Sequence, residues 1–323
     1  MTWPMNTRIK KNPLESQATT ATTGATLRWD VPKTGILAAL MLVITGTLTG
    51  TPSTPVATGM AALISRVRLV ANSGINLIDV SGIGYHYLLR DMLEHNVDPV
   101  PQASARNAGE SGVLDLSMFF PIALNSRDPI GLIMLQNEDT QLTLEVEVAA
   151  LTAVANDFSA SSITIQPVLD VFTVPVDPKN HPPFDFAHTI TEESQVVAAA
   201  GEARWAWPRG NIYAQVIHGL GVGSSGADGF TFYSLLVNQT DYIYRNVSAA
   251  FLTREFSRFR GRTRLGGVIP VDFLSQSGLG NYGAARDLLD SRQMTDINSV
   301  ITASSAGTLR TVKRQLVPLP KAS

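Results

Sequence analysis

Five histidines are the side chains of this chain best suited to binding a metal or moving a proton: His86, His95, His181, His188 and His218. A metal enzyme of the cupin type, built on two β-barrels, needs two histidines two apart on one strand. Both imidazoles then face inward, joined by a further glutamate and histidine. No His-x-His occurs, which argues against that chemistry. Paired carboxylates on a β-scaffold could hydrolyse a glycosidic bond, and Glu145 with Glu147 is such a pair. As alternate residues of one strand they point the same way, on a face shared with Thr143, which reads as solvent or interface.

Gly221-Val222-Gly223-Ser224-Ser225-Gly226 spells a dinucleotide-binding turn. That turn works only where it opens a helix whose N-terminus meets the pyrophosphate. Here Phe230-Thr231-Phe232-Tyr233 follows, a strand pattern, so the glycines are expected at a hairpin tip. Arg254, Arg258, Arg260, Arg262 and Arg264 crowd one stretch, interleaved with Phe251, Phe256 and Phe259. Arg254, Arg258 and Arg262 are the candidates for gripping phosphate groups or, the preferred reading, for ion pairs to a neighbouring subunit. No local signature of a serine–histidine–acid triad is present, and the sequons at Asn238 and Asn246 carry no weight without a secretory leader. No residue is assigned a catalytic, cofactor-binding or metal role, no cofactor is expected, and the chain is read as not an enzyme.

The elements that carry these residues are mostly strands. Gln141–Val148 alternates strictly, placing Leu142, Leu144, Val146 and Val148 on one face. Ser162–Gln166 and Phe230–Val237 are rich in β-branched or aromatic residues, and turn punctuation recurs at Gly50-Thr51-Pro52 and Asn72-Ser73-Gly74. Ile36–Ile44 is uninterrupted apolar but far short of the about 20 residues of a spanning helix. It is expected to be a strand buried on both faces and ended by Thr45-Gly46-Thr47. Two amphipathic helices are predicted, over Ile83–His95 and over Ala249–Arg260, each packing outside a sheet.

The halves repeat one another. Arg28, Trp29, Pro32, Lys33 and Ile36 recur at the same spacing as Arg204, Trp205, Pro208, Arg209 and Ile212. Asn72–Ser81 is echoed by Asn238–Ser248, Gly112–Phe119 by Gly267–Leu274, and Val174-Pro175 by Val317-Pro318. The offsets change only between matched blocks, as when loops vary while paired elements persist. Each unit of about 150 residues is too long for a solenoid repeat and suits an ordinary domain.

Apolar residues make up 44% of the 323-residue chain and charged residues 16%, with a formal net charge of −2 and no cysteine. Such a chain fills two cores but has few charges to coat a free surface, so much of its exterior should lie against something else. A near-neutral balance gives no support to a polyanion-binding role, and the missing thiols remove disulfides and thiolate chemistry. Two tandem eight-stranded jelly-roll β-barrels, each with one flanking helix, account for the all-β pattern. The expected organisation is an arm over 1–25, barrels over 26–177 and 189–323, and a stiff connector over 178–188 within the proline-rich stretch Pro175–Pro183. The arm, polar and threonine-rich, is expected to order only on contact.

Val31-Pro32-Lys33-Thr34-Gly35-Ile36-Leu37, then Arg66–Gly74 running into Leu77–Gly82 and the helix behind it, carry a resemblance. From about residue 25 onward the chain resembles the double jelly-roll major capsid proteins of icosahedral, mostly tailless viruses, including membrane-containing bacteriophages. The resemblance implies a homotrimer whose six barrels make a pseudo-hexameric capsomer of a virion shell, assembled in the host cytoplasm. It implies neighbouring capsomers, penton and minor capsid proteins as partners, and no sequence-specific nucleic acid. Arg8, Lys10 and Lys11 would meet a neighbour or the lipid phosphates of an internal membrane. The family's tower-forming loops are longer than those here, such as Asn96–Gly112. The competing reading is a carbohydrate-binding or glycan-cleaving double jelly roll with an acidic, aromatic-lined cleft.

Overall fold

Trp29 and Trp205, the first strong echo in the sequence, sit on corresponding strands of two units with one strand order. The computed structural model describes residues 7–20, 24–50, 58–72, 74–93, 112–124, 129–136, 141–153, 158–182, 185–222, 228–274 and 288–319. One compact unit comprises Met1–His86, Glu94–Thr191 and Leu319–Ser323; the other comprises Tyr87–Leu93 and Glu192–Pro318.

The strands of the first unit are β1 (Ile9–Pro13), β2 (Gln17–Thr19), β3 (Ala25–Asp30), β4 (Ile36–Gly50), β5 (Ile64–Ala71), β6 (Ile75–Val80), β7 (Gly112–Pro121), β8 (Ile133–Met134), β9 (Leu142–Val148) and β10 (Phe158–Phe172). One sheet runs β3-β9-β5-β6. In the other, β10 lies between β4 and the pair β1 and β2, while β4 also pairs with β7 and β8. After β11 (Phe186–Val197), which enters the second unit at Glu192, come β12 (Gly201–Ala206), β13 (Ile212–Leu220), β14 (Phe230–Val237), β15 (Asp241–Ser248), the helix α1 (Ala249–Arg260), β16 (Val268–Asp272), β17 (Leu289–Asp290), β18 (Ile297–Ala303) and β19 (Gly307–Pro318). Here one sheet runs β12-β18-β14-β15, and in the other β19 lies between β13 and β11, with β16 and β17 on β13. Strand for strand this is the first unit again: β11 corresponds to β1 with β2, β12 to β3, β13 to β4, and so on to β19 for β10. Trp29 lies opposite Leu144, and Trp205 opposite Ser299.

Alternation sets the faces. Leu142, Leu144, Val146 and Val148 of β9 are all buried, as the sequence predicts, against outward Thr143, Glu145 and Glu147. Ile36, Leu40, Leu42 and Ile44 of β4 and Ile163, Ile165 and Leu169 of β10 are buried, and each such side chain contributes about 1.5–3 kcal/mol. β4 is buried on both faces only over Ile36–Leu40, and past it Thr45 and Thr47 are exposed. β4 does not end at Thr45-Gly46-Thr47 as the sequence suggests but runs on to Gly50. The glycine is there for space, since a Cβ on Gly46 would lie 2.0 Å from the Ser162 carbonyl oxygen of β10.

Three other expectations are corrected. The arm is not a segment without structure: β1 and β2 pair antiparallel with β10 and complete its sheet. The Trp29 indole N–H donates to the Glu15 carbonyl at 2.7 Å, fixing the bend between those two strands. The helix predicted over Ile83–His95 is a π-helical turn, Gly84–Leu89, followed by a 3-10 turn, Arg90–Met92; Glu94 and His95 lie outside the described residues. Its side chains from Tyr85 to Met92 are buried on every side, so no single stripe faces a sheet. Within the stretch read as connector, Asp177 caps a short 3-10 turn over Pro178–Asn180, and β11 already opens at Phe186.

Candidate functional site

The arrangement nearest to catalytic geometry lies in the core of the second unit. Residues from β13, β14, β18 and β19 meet there because alternate positions of each strand face inward. The Ser299 Oγ lies 2.7 Å from His218 Nε2, and His218 Nδ1 is 2.8 Å from Thr311 Oγ1. Trp207 Nε1–H donates to Ser299 Oγ at 2.9 Å, and the Tyr233 hydroxyl lies 3.1 Å from it. A serine held against a histidine resembles half of a hydrolase triad. Its third member is a threonine, however, and all five side chains are buried. No substrate reaches the hydroxyl, so the cluster satisfies buried polar groups. Sequence pattern missed it, because the four strands involved are joined only by pairing.

Burial pushes the His218 imidazole down to about 3. Its ordinary value is about 6.5, so the unfolded chain takes up a proton that the native core refuses. The contribution of this histidine to stability is present above pH 6.5 and is lost as the pH drops toward 3, by about 1.4 kcal/mol per pH unit. Urea unfolding between pH 6.5 and 4 should therefore show a steeper loss in the wild type than in His218→Gln. Equal slopes would mean that the imidazole is hydrated in the folded state.

The remaining histidines are dispersed. His188 Nδ1 donates to the Ile122 carbonyl at 3.1 Å, and His181 Nε2 to the Pro175 carbonyl at 3.2 Å. His86 is buried. Among the described residues no group of three or more histidines and acids is placed to hold a metal.

Glu145 and Glu147 stand in a cross-strand ladder of charge. Glu145 meets Arg28 at 3.0 Å and Arg68 at 3.6 Å, and Glu147 meets Arg68 at 2.8 Å. Each carboxylate is thus flanked by a guanidinium from β3 or β5, which suits a sheet surface rather than a general acid and nucleophile. Trp29, Trp205 and Trp207 are buried and cannot stack on a sugar. A cavity of about 570 Å³ opens in the first unit, lined by Leu77, Ile133, Met134 and Phe186 with no carboxylate.

The arginine group is split by the local fold. Ser248 caps α1 by accepting the Phe251 N–H at 3.2 Å, and Gly261, at φ 68°, ends it. Leu252 and Phe256 are buried, which leaves Arg254 and Arg258 exposed on the opposite side. Arg258 lies 5.5 Å from the Phe259 ring centre. Arg262 turns inward, donating to the Asp91 carboxylate at 3.3 Å and to its carbonyl at 3.1 Å. Arg264 is buried in a fork with Asp228, at 2.8 and 2.9 Å. Burial raises the Asp228 carboxyl, but the Arg264 and Gly267 hydrogen bonds and the Arg264 charge outweigh it and leave it below the usual range. The three sequence candidates therefore do not form one patch. Of the second group, the Arg8 N–H donates to Thr173 Oγ1 at 3.0 Å, Lys11 pairs with Asp170 at 2.6 Å, and Lys10 is exposed on β1.

The chain matches no protein-family model and no curated relative. Solved structures share its fold. The major capsid protein of Sulfolobus turreted icosahedral virus is 17% identical, with a TM-score of 0.72 over 96% of this chain and 97% of that one. The fold is the double jelly roll. The PBCV-1 virus capsid structure matches at 8% identity and TM-score 0.65, over 98% of this chain and 97% of that one. The major capsid protein P2 of bacteriophage PM2 matches at 9% and 0.60, over 96% and 100%. Within this double jelly roll the π-helical turn at Gly84–Leu89 and the helix α1 occupy the same place, between β6 and β7 and between β15 and β16.

Proposed function

We propose that this double jelly roll is a major capsid protein, a homotrimer whose six barrels build a pseudo-hexameric capsomer of an icosahedral virion. The supporting observation is the duplicated strand order, matched over nearly the whole chain by solved structures of viral capsid proteins. Duplication gives a threefold assembly six similar corners, which lets one chain tile a surface. The scarcity of charge, 16%, suits an exterior that is largely covered by neighbours.

On this reading the strands within residues 1–25 belong to the first barrel, 26–177 supply the rest of it, 178–188 connect, and 189–323 form the second. Arg254 and Arg258 face a neighbouring copy. Lys10, with Arg8 and Lys11, lies toward a neighbour or an internal membrane. Penton and minor capsid proteins complete the shell, which is assembled in the host cytoplasm and recognises no nucleic-acid sequence. The role requires no catalysis and no cofactor.

Light scattering on the purified protein, separated by size, tests this. The expected mass is three times 34.7 kDa. A monomer that turns over a glycan substrate would overturn the capsid reading in favour of the enzyme.

A further inference from the structure

The two units keep one strand order, yet corresponding sheet edges are not treated alike. In the first unit, β6 has β5 on one side and, on the other, the opening of β11 running parallel to it. Ile190 lies beside Ile78 and Thr191 beside Asp79, all four within that unit. The strand corresponding to β6 is β15, and the strands corresponding to β11 are β1 and β2. β15 ends its sheet beyond β14, and β1 ends its sheet beyond β10, with no further strand beside either among the described residues.

Exposure follows the same division. Ile78 and Ile190 are each 1% exposed, whereas Ile9 on β1 is 54% exposed and Tyr242 and Ile243 on β15 are 47% and 40%. Phe232, in register with Ser248 at the end of β15, and Phe251, opening α1 just after it, are exposed too. These are large apolar groups beside rows of backbone hydrogen-bonding groups, the combination that draws in another strand.

Resting on the trimeric reading above, we propose that the occupant of each edge is a second copy of this chain: β1 of one protomer pairs in parallel with β15 of the next, as β11 pairs with β6. The β6–β11 pair shows that strands of these two classes fit side by side. Because each copy offers one edge of each kind, the contact is head-to-tail, and three copies close it with no β1 or β15 edge left over. The N-terminal strand is then a clasp between protomers as well as the last strand of its own sheet.

The absence of cysteine makes the test clean. Lys11→Cys and Arg245→Cys, both exposed, are introduced singly and together and treated with a short bis-maleimide, after light scattering of the untreated proteins. The doubly substituted trimer should yield covalent species of two and three chains that neither single variant gives. A trimer that gives none overturns the β1–β15 clasp and leaves the capsid reading standing. A wild-type protein that stays monomeric overturns both.

Discussion

Deletion of residues 1–20 should destabilise the first barrel strongly rather than leave it folded with a shortened tail. The segment supplies β1 and β2, and the bonds it makes are identifiable. The Leu14 N–H donates to the Pro167 carbonyl at 2.8 Å and the Thr173 N–H to the Arg8 carbonyl at 3.1 Å. Gln17 Nε2 donates to the Arg28 carbonyl at 2.6 Å, Trp29 Nε1 to Glu15 at 2.7 Å, and Lys11 holds Asp170. At about 1 kcal/mol net for each bond lost, the cost is on the order of 5 kcal/mol before any exposure of the β10 edge is added. That is a large part of the stability of a single domain, about 5–15 kcal/mol. Urea unfolding of the shortened chain measures it. An unchanged midpoint would show that the two strands lie on the sheet without supporting it.

The second large effect is expected at the duplicated tryptophans. Trp29→Ala and Trp205→Ala should each cost about 3–5 kcal/mol, the usual loss when a buried aromatic leaves a cavity. Trp205 packs its ring 6.0 Å from Trp207 and 5.4 Å from His218, with Lys313 5.6 Å above it. Trp29 adds its bond to Glu15, whose carbonyl would lose its indole partner. Thermal unfolding of the two variants reads both losses. Shifts of a degree or two in both would mean that these indoles are not part of the cores.

What the sequence reveals depends on how far each element is shaped by burial. β9 and β14 are legible to the residue because one face is core and the other is not. Helix α1 is legible because it carries its own cap, stripe and terminal glycine. β1 and β2 are not, since an edge strand with mostly exposed side chains has no alternation to show. A signal for them did exist: the second copy has a strand, β11, ahead of the repeated Arg-Trp, so the first copy should have one as well. The turn at Gly84–Leu89 misled for the opposite reason. Arg90 and Asp91 mimic a polar face, but they are buried and pair with each other at 3.0 Å. Residue type and spacing singled out Arg254, Arg258 and Arg262 alike, and only the fold shows that the first two are exposed while Arg262 pairs with Asp91. The acids that hold Arg262 and Arg264, Asp91 and Asp228, are distant in sequence.

A polypeptide containing two nearly interchangeable sandwiches risks building a hybrid, with a strand of one copy inserted into the other. The bonds of Ser299 disfavour such an exchange. Its counterpart in the earlier copy is Leu144, facing Trp29 as Ser299 faces Trp205. A leucine brought to that position would strand the Trp207 N–H, His218 and the Tyr233 hydroxyl without their common partner. Each orphaned group costs about 1–3 kcal/mol, so a hybrid with that exchange would lie well above the native pairing in free energy.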